Sequence, residues 1–130
     1  MRYKIPLLFS FIVSFLFISG CTGKVNNSVT IQNLSAGTVY FNFRGNVVTA
    51  ASGSTATISE IPKGTYQYAT TYGIPAGALS SSAQGAVTGT VIINAGTRIM
   101  IVYSSTLTNG AYVLFATITS SDSQTITTSP

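Results

Sequence analysis

The sequence predicts an all-β fold, an antiparallel β-sandwich of about seven or eight strands behind an N-terminal signal peptide. Three observations carry this. From Ser28 onward the chain is rich in Val, Ile, Thr, Tyr and Phe, with turn residues breaking it about every eight to twelve positions. Within those runs apolar and polar residues alternate with period two, as half-buried strands require. Ahead of them, Arg2 and Lys4 precede a largely apolar stretch from Ile5 to Ile18, which sets the first residues apart from the rest.

Val29-Thr30-Ile31-Gln32 is the first alternating run, and Asn33 to Gly37 turns the chain into Thr38 to Arg44. There Val39, Phe41 and Phe43 share one face, expected to be core, while Tyr40, Asn42 and Arg44 share the other, expected to be wet. Gly45-Asn46 permits a turn before Val47 to Ala50, and Ser52-Gly53-Ser54 separates that run from Thr55 to Ile61. Pro62-Lys63-Gly64 reads as a tight turn, because Pro presets φ and Gly accepts a positive one. The following strand, Thr65 to Tyr72, places Tyr66, Tyr68, Thr70 and Tyr72 on one face. From Gly73 to Gly89 the chain turns to Gly, Ala and Ser, which predicts a long, mobile loop.

Pairing resumes with Gly89 to Ile93, and Asn94-Ala95-Gly96 is a hairpin signal leading into Thr97 to Tyr103, a strand apolar on nearly both sides and therefore central. Thr108-Asn109-Gly110 turns into Tyr112 to Thr119. The expected organisation is a signal peptide over 1–20, a tether over 21–28, the sandwich over 29–119 and a loose polar tail over 120–130.

The N-terminal stretch is shorter than the roughly 20 apolar residues of a spanning helix. It ends in Ile18-Ser19-Gly20-Cys21, which resembles the lipobox of bacterial lipoproteins: an aliphatic residue, a small residue, Gly or Ala, then Cys. That resemblance implies cleavage before Cys21, acylation of its thiol and amine, and a mature protein held on the membrane of a bacterial cell envelope. Two or three acyl chains suffice for stable anchoring, since each buried CH₂ contributes about 0.8 kcal/mol. Thr22 after the cysteine, rather than Asp, resembles lipoproteins sorted to the outer membrane of Gram-negative cells. The alternative is a simple secretory signal that leaves Cys21 as a free thiol. A second resemblance, Ile61-Pro62-Lys63-Gly64-Thr65-Tyr66 to the turn and strand of transthyretin-like and immunoglobulin-like domains, implies a sandwich and no activity.

Composition narrows the chemistry. The chain has no histidine and one cysteine, so Ser-His-Asp and Cys-His nucleophilic catalysis have no base, and no His/Cys metal spacing exists. After Cys21 only Lys24, Arg44, Lys63, Arg98, Glu60 and Asp122 are charged. Scattered cations do not make the basic face of a nucleic-acid binder. Glu60 and Asp122 are the sole carboxylate pair for glycoside chemistry; the competing expectation is an edge-strand charge and a solvated terminal charge. No catalytic residue, cofactor or metal is therefore expected.

Candidate ligand-binding residues are Tyr66, Tyr68 and Tyr72, whose rings suit sugars or peptides, and Tyr40 with Arg44, which suit an anion. Against these stand a structural tyrosine ladder and a solvated outer face. The expected function is a non-catalytic binding or structural module of the envelope, with a protein or polysaccharide as partner. The alternative is an assembly subunit that pairs strand edges.

Overall fold

The computed structural model describes residues 26–122, 124 and 126–129. The expected signal peptide, Cys21 and most of the expected tether lie outside them. The protein is an all-β sandwich of ten strands: β1 (Ser28–Asn33), β2 (Val39–Phe43), β3 (Asn46–Ala50), β4 (Thr55–Ser59), β5 (Gly64–Tyr72), β6 (Ser80–Gly85), β7 (Thr88–Ile93), β8 (Arg98–Thr108), β9 (Ala111–Ser120) and β10 (Thr127–Ser129). One sheet runs β4-β1-β8-β9-β6 and the other β10-β7-β5-β2-β3.

The alternation read from the sequence sets the core. Val29, Ile31, Ile99, Ile101, Tyr103, Tyr112 and Leu114 face inward from the first sheet. Val39, Phe41, Phe43, Tyr68, Val91 and Ile93 meet them from the second. Buried rings fill the layer between: Phe41 stacks on Phe43 at 5.9 Å and on Tyr68 at 5.3 Å. Offset aromatic pairs of this kind contribute about 0.5–1.5 kcal/mol beyond the area they bury.

Two hairpins close on two-residue turns in which both residues have positive φ, Arg44-Gly45 (57° and 75°) and Asn109-Gly110 (52° and 79°). That is the type I′ geometry, whose twist matches the strands it joins. Arg44 therefore belongs to the turn and not to β2, one residue earlier than the Gly45-Asn46 turn expected from the sequence.

Four features depart from the sequence expectation. Ser80–Gly85, expected within a mobile loop, is strand β6, aligned parallel to β9 with Ser80 opposite Ala111 and Gly85 opposite Ala116. Its residues are exposed apart from half-buried Ala83, so backbone hydrogen bonding rather than apolar burial makes it a strand, and periodicity cannot reveal it. Asn94 to Gly96 does not close a hairpin: β7 and β8 lie in different sheets, and the segment crosses between them. Consequently β1 pairs with β8 in parallel, as β6 does with β9, and the first sheet is mixed rather than antiparallel. Finally, the expected polar tail contributes β10, which pairs with β7 through Thr127 opposite Thr90.

Gln124 extends that pairing with its side chain. Its amide accepts from the Ile92 N–H at 2.9 Å and donates to the Ile92 carbonyl at 2.8 Å, so a side-chain amide stands in for a strand backbone on the β7 edge.

Candidate functional site

Two buried asparagines organise the two ends of the sandwich. At the end where the described chain begins, Asn27 donates to the Ile61 carbonyl (2.9 Å) and accepts from the Gly96 N–H (2.6 Å), joining the 60–63 and 94–97 connections. At the opposite end, Asn33 donates to the carbonyls of Gly37 (2.9 Å) and Ala50 (2.8 Å) and accepts from the Ser35 N–H, which shapes the loop between β1 and β2. Both are almost fully buried with their amides satisfied, the condition under which a polar core group specifies one arrangement.

The ends differ sharply in chemistry. Every charged residue after Lys24 lies at the Asn27 end: Arg44 in the β2–β3 turn, Glu60 and Lys63 between β4 and β5, Arg98 opening β8, and Asp122 just beyond β9. There Asp122 accepts hydrogen bonds from Ser120 Oγ (2.6 Å), Gln124 Nε2 (2.7 Å) and Thr97 Oγ1 (2.8 Å). These donors favour the carboxylate and lower its pKa from 3.8 to about 2.

Among the described residues, the Asn33 end carries no charge and several exposed aliphatic side chains. Leu34 follows β1, Ile74 follows β5, Leu79 precedes β6 and Leu107 lies near the end of β8. They are exposed by 59%, 58%, 89% and 46%, far more than the core residues beneath them. Leu79 is nevertheless fixed, since its N–H donates to the Gly110 carbonyl at 2.7 Å and its side chain lies against Gly110. Ala36 is tied down in the same way by Ser105 Oγ at 2.9 Å. The apolar tip is thus a set of short, anchored loops.

The sequence-derived candidates are distributed elsewhere. Tyr66, Tyr68 and Tyr72 do share a face with Thr70, and that face is the inner one. Tyr68 is buried, its hydroxyl donates to the Ala86 carbonyl at 3.0 Å, and burial raises its pKa to about 12. Tyr66 packs on Phe43 at 5.3 Å and donates to the Pro62 carbonyl at 2.7 Å, and Tyr72 packs on Tyr112 at 6.0 Å. Tyr72–Tyr112 joins the two sheets, Tyr66 packs within its own sheet, and the three tyrosines leave no stack of open ring faces. Tyr40 does lie on the outer face of β2. Arg44 does not join it as an anion pair: the positive φ of the turn breaks the alternation, and the guanidinium lies 5.5 Å from the Tyr66 ring centroid, a cation–π arrangement. Cys21 lies outside the described residues.

Two surface depressions accompany these features. A cleft of about 330 Å³ is lined by Gln67, Tyr68 and residues 88–90 and 127–129, without a charged side chain. A groove of about 550 Å³ runs between the last residues of β9 and the segment from Asp122 to Thr128.

No family model matches the chain, and no curated protein matches it.

Proposed function

We propose that the protein is a bacterial envelope lipoprotein, anchored through acylated Cys21, whose non-catalytic sandwich presents its uncharged tip to an apolar surface on a partner protein. The opposition of the two ends carries this proposal. The chain enters at the charged end, so a tether at Cys21 brings that end toward lipid headgroups and directs Leu34, Ile74, Leu79 and Leu107 away from the membrane. If the host is Gram-negative, that membrane is the outer one. Exposed aliphatic side chains without neighbouring charge favour a protein partner over a polysaccharide, because they offer neither hydrogen bonds nor ring faces to sugars.

The anchor is tested by acyl labelling of the full chain and of Cys21→Ser; labelling that persists in the variant rejects it. The tip is tested by placing a photo-crosslinking residue at Leu79, Leu107 or, as a control on the outer face of β5, Gln67. Adducts in intact envelopes should form from the first two positions and not from the third. Equal yields from all three reject the tip as the binding surface.

A second reading, an assembly subunit that pairs through strand edges, is favoured by one observation. β6 covers only the first part of β9's outer edge and stops at Ala116.

A further inference from the structure

The hydrogen-bonding direction along β9 follows from two contacts. Ser121 donates its N–H to the Arg98 carbonyl, on the β8 side, whereas the Ala116 carbonyl accepts from the Ala86 N–H on the side of β6. Because backbone groups alternate sides along a strand, Thr117 and Thr119 point their N–H and C=O groups toward β8, while Ile118 and Ser120 point theirs away from it. β6 leaves the sheet at Gly85, opposite Ala116, so no described strand pairs with Ile118 or Ser120 on that side. The other sheet is treated differently: there β10 and the Gln124 amide cover the edge of β7 as far as Ile92.

Beside the uncovered edge lies the groove of about 550 Å³. Ala86, Ala116, Ile118 and Ile126 give it an apolar lining, and Thr117, Thr119 and Thr128 give it a polar rim. Asp122 stands at its far end as the one charge among the lining residues. The edge from Thr117 to Ser120 is about 14 Å long at the usual rise per strand residue. Ala86 bounds the groove beyond the end of β6, and Asp122, Gln124, Ile126 and Thr128 bound it on the other side.

We infer that this groove is a strand-acceptor site: a short extended segment of a partner protein, apolar at alternate positions and with a basic residue at the Asp122 end, adds to β9 in line with β6. Its backbone pairs with Ile118 and Ser120, its apolar side chains meet Ile118 and Ile126, and its cation meets the Asp122 carboxylate. Strand addition of this kind takes affinity from main-chain hydrogen bonds and specificity from alternate side chains. The inference rests on the strand-edge reading and is independent of the apolar tip.

Amide hydrogen exchange on the full chain tests it, with the capped peptide acetyl-Lys-Thr-Val-Thr-Ile-Thr-amide as probe and the same peptide N-methylated at alternate residues as control. In the free protein the Ile118 and Ser120 amides should exchange at least tenfold faster than those of Thr117 and Thr119. The probe should slow both at least tenfold, and the control peptide should not. Ser120→Pro removes an N–H from the open edge without touching the β8 ladder, and should weaken probe binding at least tenfold beyond Ser120→Ala, which loses only the hydroxyl bonded to Asp122 and Gln124. Thr128→Arg, which obstructs the groove from the other sheet, should do the same if the proline variant fails to fold. Equal protection of all four amides in the free protein overturns the site, as does a probe that leaves Ile118 and Ser120 unprotected. Protection that appears at β3 or β4 instead overturns this groove but keeps the strand-edge reading. Protection of Ile118 and Ser120 that grows with protein concentration alone replaces the partner segment with a second copy of the chain, and overturns the inference as stated.

Discussion

Thr70 Oγ1 and Tyr103 Oη lie 2.6 Å apart, one hydroxyl from each sheet, and their hydrogen bond crosses the core. Both side chains are buried, and burial raises the tyrosine pKa although the Thr70 hydrogen bond opposes that shift. Removing one partner strands the other hydroxyl in an apolar layer. Thr70→Val and Tyr103→Phe should each destabilise the domain by about 1–3 kcal/mol in urea unfolding. The double variant should cost less than the two single changes added together, since it leaves no orphaned group. Additive losses would mean that the hydroxyls do not bond to each other.

Tyr112 gives the opposite expectation. Its hydroxyl is buried next to Gly37, with no hydrogen-bond partner among the described residues. Tyr112→Phe removes an unpaired polar atom and keeps the ring against Tyr72. Its free energy of unfolding in urea should stay level with that of the parent protein or rise, by up to about 1 kcal/mol. A loss as large as that of Tyr103→Phe would reveal a bond to this hydroxyl.

Asp122 makes stability depend on acid. Its folded pKa, about 2, lies below the ordinary 3.8, so the unfolded chain takes up a proton first as pH falls. The contribution is complete above about pH 4 and lost as pH drops toward 2. Unfolding midpoints measured across this range should fall for the parent protein and change less for Asp122→Asn. An identical slope in both would remove Asp122 as the source.

Gly85 ends β6 with φ of 84°, and a Cβ there would lie 2.3 Å from the Ala116 carbonyl oxygen. Gly85→Ala therefore combines backbone strain with a clash against the neighbouring strand, at a cost of about 1–3 kcal/mol. Amide exchange should quicken along Ser80–Gly85 before it does in β8. Unchanged protection of β6 would show that the strand can shift to accommodate the methyl group.

The inward placement of Val39, Phe41 and Phe43 was legible because period-two alternation with bulky residues leaves little choice. The same rule grouped Tyr66, Tyr68, Thr70 and Tyr72 correctly but could not say which side they take, since tyrosine is at home in a core or at a surface. The hydroxyls of Tyr68 and Thr70 were settled by partners far away in sequence, Ala86 and Tyr103. Arg44 escaped the pattern because one positive φ ends the alternation. The exposed aliphatics at the tip come from three places far apart in sequence, the β1–β2 connection (Leu34), the β5–β6 connection (Ile74 and Leu79) and β8 (Leu107), so no local window brings them together.

By itself, the sequence determined that this chain is built of β-strands and which residues share a face, because side-chain alternation is a local property of extended backbone. It also supplied the run Ile18-Ser19-Gly20-Cys21, which resembles a lipobox, and the absence of histidine, both readable without a fold. Only the tertiary structure decided that β1 and β6 pair in parallel with β8 and β9, that among the described residues the charges gather at one end and exposed leucines at the other, and that no described strand pairs with Ile118 and Ser120 on the side away from β8. Those outcomes depend on which strands meet and in what register. Long-range backbone hydrogen bonding and packing between sheets set that register, and neither leaves a mark in any short stretch of sequence.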